Sequence, residues 1–335
     1  MHSLRNKKAI LVGFGGMGRR YLEALNNLKI QVDYICDIKK KKIKKKNIIF
    51  EKNYKKLLNV KADLVCVVAN TTIRYEILKD FIINSKIKNI VTEKPLCCSI
   101  HESIKIYKLI KKYKKRLLIN SYRPYLKNYN QIKTIAKKNN EDFKSVNINS
   151  PLAGLGNMGS IFFDLGIFYL GKKIDTIFCK VDKSNTPNPR GKNFKDPGGY
   201  GLIKFDDNKR FLFDLSEDTG LPYIITIKTP NLEFIIDEIN NNFYYKKRPK
   251  KMKTKPLNYY LFKPELYKLP IYEKYNPIKF TQITLKNIFK KKFTSNLIEQ
   301  IYVMKMIIGS HISSEMNKEL KFKNLDNQKK KIKIA

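Results

Sequence analysis

The chain has no tryptophan, three histidines, five cysteines, and only 29 acidic residues against 69 basic ones. Each shortage narrows what the protein can be. Five is an odd number, and Cys36, Cys66, Cys97, Cys98 and Cys179 lack the spacing of a metal site or a disulfide framework, so they read as reduced, mostly buried thiols. His2, His101 and His311 lie at the terminus, in the first turn of a capped helix and in the last helix, so each reads as structural or solvated. No apolar run approaches the roughly eighteen residues of a membrane helix, and the charged start lacks the apolar core of a secretory signal. Cytoplasmic residence, with no membrane partner, is the expectation.

The formal net charge of +40 invites a nucleic-acid reading. Against it, the excess is almost all lysine and is spread through every segment. Arginine, the side chain suited to bidentate recognition of phosphate and guanine, is scarce. No specific nucleic-acid partner is expected; the charge predicts attraction of anionic small molecules instead.

What the chain does contain is a pair of motifs. Ala9-Ile10-Leu11-Val12 is short and β-prone, and Gly13-Phe14-Gly15-Gly16-Met17-Gly18 follows it into an amphipathic run from Arg19 to Leu28. Gly13 permits the tight turn, Gly15 lets backbone N–H groups approach a pyrophosphate, and Gly18 lets helix and strand pack closely. The next strand, Val32 to Cys36, ends in Asp37, where a ribose-binding carboxylate belongs. That context points to a dinucleotide. Asp37 would repel a 2′-phosphate and favours NAD over NADP, while Lys39 and Lys40 could offset the repulsion, so either nicotinamide cofactor stays open. The second motif, Glu93-Lys94-Pro95, directly follows the strand Asn89-Ile90-Val91-Thr92.

Strands alternate with helices through about residue 120, which indicates an α/β fold opening with a doubly wound, parallel dinucleotide-binding sheet over residues 1–122. Residues 123–335 change character to an α+β domain. A helix near 127–138, a strand at 145–149 and an apolar helix at 158–170 precede strands near 174–181, 201–205, 210–215, 223–228, 232–236 and 243–245. Their short polar turns predict an antiparallel meander in an open sheet. A Lys-, Tyr- and Pro-rich excursion covers about 246–275, Asn296 with Glu299 suggests the cap of a last helix to about 317, and 329–335 reads as a frayed tail.

Together GFGGMG, Asp37, ADLVCVVANTTIRYEIL, VTEKPL, and Asn120 followed by SYRPY resemble the Gfo/Idh/MocA family of nicotinamide-dependent oxidoreductases. The resemblance implies a hydride transferred to or from a carbinol or carbonyl carbon of a sugar or nucleotide-linked sugar, with surface glycan synthesis as a setting. It places the cofactor on the glycine loop, Asp37, Ala69, Asn70, Glu93 and Lys94. It puts Lys94, whose peptide bond to Pro95 is often cis in the family, against the substrate near the nicotinamide. It implies a homodimer or homotetramer formed through the exposed face of the second sheet.

Bottom-up, the chemistry needs a group that polarises the substrate oxygen and one that moves its proton. Lys94 suits the first and shares in the second. Asp164, in the apolar helix, matches an aspartate the family carries there, and Lys94 is its expected partner. The family commonly adds a histidine four residues after that Asp or three before it, and Phe168 and Ile161 hold those places here. Tyr122, Tyr125 and Tyr169 are then auxiliary donors. Arg123 either contacts substrate or anchors the domain junction, and Arg190 with Lys192 either grips a phosphate or forms a solvated turn. The missing histidine leaves a second reading open: a dinucleotide-binding sensor or scaffold without catalysis.

Overall fold

The strands of the first half are built from residues that alternate with nothing: Leu64-Val65-Cys66-Val67 is buried at all four positions. A run that is apolar on both faces belongs in a parallel sheet covered by helices on each side. The computed structural model, which describes residues 4–39, 47–151, 154–183, 195–216, 220–252 and 254–332, has that sheet. Its chain order is β1 (Lys8–Val12), α1 (Gly16–Asn27), β2 (Gln31–Cys36), β3 (Ile49–Glu51), β4 (Leu64–Val67), α2 (Thr71–Asn84), β5 (Asn89–Thr92), α3 (Ile100–Lys112) and β6 (Arg116–Ile119). Neighbours run β3-β2-β1-β4-β5-β6, all parallel. Strand order reverses between β1 and β4, which opens a crevice outside their C-terminal ends.

The second half continues with α4 (Lys127–Lys138), β7 (Ser145–Asn149), α5 (Met158–Leu170), β8 (Ile174–Val181), β9 (Gly199–Phe205) and β10 (Arg210–Asp214). Then come β11 (Ile224–Lys228), β12 (Leu232–Asp237), β13 (Asn242–Lys247), β14 (Glu265–Lys268), α6 (Pro277–Asn287), α7 (Leu297–Met316) and β15 (Leu320–Lys321). The nine strands order as β14-β13-β12-β11-β7-β10-β9-β8-β15. The expected plain meander is corrected at one place. β7 inserts between β10, to which it is parallel, and β11, to which it is antiparallel. The sheet is therefore mixed, because the strand that precedes α5 fills the centre that a meander would close.

Three further expectations change. The excursion contains strand β14 and is followed by α6, which packs on α1 of the first sheet. Asn296 does not cap α7 with its side chain. Its Oδ1 accepts from Ile119 N at 3.0 Å and its Nδ2 donates to Ile119 O at 2.9 Å, so it extends the edge of β6 and docks α7 there. Nor are residues 329–332 frayed: Ile332 is buried and donates its N–H to Cys98 O at 3.0 Å, and Lys331 pairs with Glu102. All five cysteines are buried and none forms a disulfide. No described helix is long and apolar enough to cross a membrane.

Candidate active site

The crevice at the strand-order reversal is a cleft of about 800 Å³ whose walls come from both halves of the chain. Gly13 turns the chain with φ +98°, and a Cβ there would lie 2.6 Å from Val68 C and Ala69 N. At Gly18 a Cβ would stand 2.2 Å from Gly13 O. Both positions require glycine, so β1, α1 and the end of β4 sit in direct backbone contact. Gly15 and Gly16 differ: nothing lies within 4 Å of where their Cβ would be, and both line the cleft. They keep open the space in front of the α1 N-terminus, the place a helix offers to a phosphate.

Asp37 stands at the end of β2 and ties the glycine loop down. Its Oδ2 accepts from Phe14 N at 2.7 Å and its Oδ1 from Lys39 N at 2.9 Å. Met17, Asp37, Ala69 and Asn70 line the cleft with Gly13, Gly15 and Gly16; the Phe14 side chain and Gly18 pack behind it. Arg20, Lys39 and Lys52 bring three cations to the wall.

The floor is held by Arg74, which sequence reasoning passed over. Its guanidinium is buried and takes up main-chain carbonyls: Nε and Nη2 donate to Ala69 O at 3.0 and 2.7 Å, and Nη1 donates to Glu93 O at 2.9 Å and to Pro95 O. One side chain thus fixes the β4–α2 loop against the Glu93-Lys94-Pro95 loop, whose Lys94–Pro95 bond is cis. The signal was in the helix period. Arg74 shares the buried stripe of Ile77, Leu78 and Phe81, where a lone cation is costly unless it has acceptors.

Lys94 is reached by α5 from above, though not by Asp164. Its Nζ donates to Asn157 O at 2.7 Å and to Asn157 Oδ1 at 2.9 Å. Asn157 is held in turn by Asp196, whose two carboxylate oxygens accept from Gly156 N and Asn157 N at 2.7 Å each. Asn157 and Asp196 are the residues around the lysine that sequence reasoning did not assign. Glu93 accepts from Asn120 Nδ2 at 2.7 Å, and Thr284 donates to Asn120 Oδ1 at 2.7 Å, fastening α6 to the end of β6. Tyr122 lines the cleft with its ring 4.6 Å from that of Phe280, and burial raises its hydroxyl pKa so that it stays a donor.

Asp164 lies behind the wall. One turn above it Ile161 faces the cleft, while Asp164 itself is 4% exposed, accepts from Ser121 Oγ, and accepts from Gln300 Nε2 at 3.0 Å. Phe168 does not line the cleft either; Lys133 Nζ sits 3.6 Å from its ring centre. Of the two family histidine places, only the one held by Ile161 faces the cleft. Burial pushes the Asp164 carboxyl up to about 7, with Glu299 adding to the rise and the Ser121 and Gln300 hydrogen bonds working against it. Between about pH 4 and 7 the folded form holds a proton that the unfolded chain has released, so this residue makes stability fall as pH rises across that range. The total is on the order of 4 kcal/mol. Asp164→Asn is expected to lack this dependence. Urea denaturation at pH 5 and pH 8 should show the variant gaining on the native protein at the higher pH, and a constant difference would contradict the assignment.

Arg123 lies at the edge of the cleft and is 1% exposed. Its Nη2 donates to Glu238 Oε2 at 2.5 Å and Tyr223 Oη at 2.9 Å, and its Nε donates to Tyr129 Oη at 3.1 Å. Burial opposes its charge, but Glu238 together with Tyr122, Tyr223 and Tyr129 outweighs that and raises its pKa. Tyr129 and Tyr223 also donate to Glu238, which closes the network. These partners all lie in the second half of the chain, and among the described residues the buried Nη1 of Arg123 finds none. Arg190 lies outside the described residues. Among the described residues no group of histidines, cysteines and carboxylates forms a metal site.

The cleft's glycine loop, the carboxylate after β2 and the lysine after β5 all fall within one matched stretch. Residues 7–121 fit the model of the oxidoreductase family with an NAD-binding Rossmann fold. This region belongs to the Gfo/Idh/MocA family. No curated protein matches the sequence. Solved structures extend the likeness in fold to nearly the whole chain. An NAD-binding oxidoreductase from Klebsiella pneumoniae superposes with a TM-score of 0.75 at 12% identity, covering 95% of this chain and 99% of that one. UDP-N-acetylglucosamine 3-dehydrogenase from Acidithiobacillus ferrooxidans gives 0.70 at 11% identity, covering 93% and 98%. The super-repressor mutant of Gal80p from Saccharomyces cerevisiae gives 0.73 at 14%, covering 97% and 100%. The likeness in fold therefore takes in the nine-stranded second half as well as the first.

Proposed function

We propose that the protein is an NAD(P)-dependent oxidoreductase that moves a hydride to or from a carbinol or carbonyl carbon of a sugar or nucleotide-linked sugar. The observation that carries this is Lys94: an ammonium group on the wall of the cleft, just past the C-terminal end of a parallel strand, held by Asn157 and borne on a loop whose Glu93 and Pro95 carbonyls Arg74 fixes. The residues present fit a nicotinamide dinucleotide. Gly15, Gly16 and the first N–H groups of α1 would take its pyrophosphate, and Asp37 its adenosine ribose, which favours NAD. When bound, the nicotinamide supplies or accepts the hydride.

The chain's own contribution is electrostatic. The two oxygens of Asn157 orient the Lys94 ammonium, which serves as a donor that stabilises a developing alkoxide and passes it a proton. Tyr122, protonated by burial, adds a second donor. Asp164 acts through Ser121, which precedes Tyr122, and positions that segment. Ile161 makes the wall apolar where the family's earlier histidine place falls, which keeps water from the lysine. A sugar substrate is supported by the fold shared with UDP-N-acetylglucosamine 3-dehydrogenase. Tyr200, Leu212 and Ile224, exposed on the open face of the nine-stranded sheet, support assembly of two or four copies there.

The test is Lys94→Ala assayed against a panel of free and nucleotide-linked sugars. Turnover should fall about 10²–10⁴-fold with NADH affinity within a few-fold of the native protein. Native turnover in the variant would remove the lysine from the mechanism. A native protein that binds NADH and turns over no sugar would favour the non-catalytic reading, for which the apolar Ile161 in the cleft is the supporting observation.

A further inference from the structure

The loop between β13 and β14 is folded from within, and among the described residues nothing covers its tip at 254–261. Arg248 is 6% exposed and collects four main-chain carbonyls: Nε donates to Met252 O at 3.1 Å, Nη1 to Leu257 O at 3.1 Å, and Nη2 to Lys255 O at 3.1 Å and Pro256 O at 2.7 Å. The ring of Phe262 lies 5.2 Å from the guanidinium. The loop therefore has a built shape. Yet residues 254–261 are all exposed, and among them Leu257, Tyr260 and Leu261 are 64%, 80% and 69% accessible. A solvated loop has no need of leucines held outward by a buried arginine.

The charge around these side chains selects the partner. Lys250, Lys251, Lys255 and Lys263 are exposed beside them, and no Asp or Glu occurs between Glu238 and Glu265. A second copy apposing this loop would bring lysine against lysine on a chain of net charge +40. Nucleic acid would suit the lysines and the Tyr260 ring, but it leaves Leu257 and Leu261 without an apolar partner, and the loop's arginine is spent on carbonyls. An anionic bilayer accommodates both sets. Leucine and tyrosine enter at headgroup depth, and lysine ammonium groups stay with the phosphates.

We propose that this loop docks the protein peripherally on an anionic membrane surface, through Leu257, Tyr260 and Leu261 inserted among headgroups held by the flanking lysines. The proposal departs from the expectation of no membrane partner drawn from the lack of long apolar runs, since insertion of loop side chains needs no spanning helix. This inference stands apart from the reading of the cleft.

Co-sedimentation with vesicles of phosphatidylcholine, alone or mixed with phosphatidylglycerol, at about 0.15 M salt tests it. The native protein should pellet with the mixed vesicles only. Leu257→Ser/Tyr260→Ser/Leu261→Ser, which leaves the net charge unchanged, should bind them at least about tenfold more weakly. Lys250→Glu/Lys251→Glu should weaken binding more than Lys108→Glu/Lys112→Glu, an equal charge change on α3. Absence of native binding, or triple-variant binding equal to native, would overturn the proposal. So would equal loss in the two charge variants, which would reveal generic attraction by the whole chain. A triple variant whose mass by light scattering drops, with vesicle binding retained, would overturn it in favour of a contact between copies.

Discussion

Gly15→Val is expected to leave the protein folded and to weaken NADH binding at least about a hundredfold. The asymmetry comes from what surrounds each glycine. Gly13 and Gly18 meet backbone atoms at once, so a side chain at either breaks the packing of strand and helix. Gly15 has an ordinary φ of −77° as the residue capping α1, and its missing Cβ would face open cleft. Valine there costs about 1 kcal/mol as a poor helix cap, while its methyl groups fill the space where a pyrophosphate would meet the helix N-terminus. Thermal unfolding and a fluorescence titration on the same sample separate the two effects. A variant that binds NADH as the native protein does would move the cofactor elsewhere.

Glu238→Ala is expected to cost about 3–5 kcal/mol of stability, the largest effect of any single change considered. It removes the carboxylate that neutralises Arg123, both side chains being almost fully buried, and leaves Tyr129 and Tyr223 with donors and no acceptor. Much of that cost is the buried charge left behind, so Arg123→Met combined with Glu238→Leu should recover most of it. Urea denaturation of the two variants checks this. If the single variant lost less than about 1 kcal/mol, water would have to reach the guanidinium.

The parts of the site legible in the sequence are those where one segment carries its own geometry. The glycine loop, Asp37 and Glu93-Lys94-Pro95 each follow a strand directly, and open α/β sheets put ligands at such ends, so position alone points to function. The partners of these groups come from elsewhere. Asn157 and Asp196 are separated by 39 residues, and the contact that fixes Lys94 depends on how α5 meets the first sheet. Helix spacing puts Asn157, Ile161 and Asp164 along one side of α5, but it does not show where the cleft ends. The first two reach it and Asp164 lies a turn deeper, closed off by Ser121 and Gln300.

The second sheet shows the same division. Strands β7 to β13 could be read from alternation in their own residues, whereas β14, exposed along its length, and the two-residue β15 could not. The insertion of β7 between β10 and β11 joins segments more than 60 residues apart in the chain, and nothing local encodes it. Asn296 was recognisable as a residue suited to a helix start, yet the backbone edge of Ile119 competes for its amide and wins. A polar side chain with two partners on a buried strand edge, whose N–H and C=O would otherwise go unpaired, gains more than one serving a single helical N–H.

The central claim is that the cleft at the strand-order reversal takes a nicotinamide dinucleotide. Titrating the native protein with NADH and with NADPH, and following nicotinamide fluorescence, tests it most directly. Saturable binding, tighter for NADH because Asp37 opposes a 2′-phosphate, is the predicted result. No saturable change with either cofactor up to millimolar concentration would contradict the assignment of the glycine loop and of every residue placed around it.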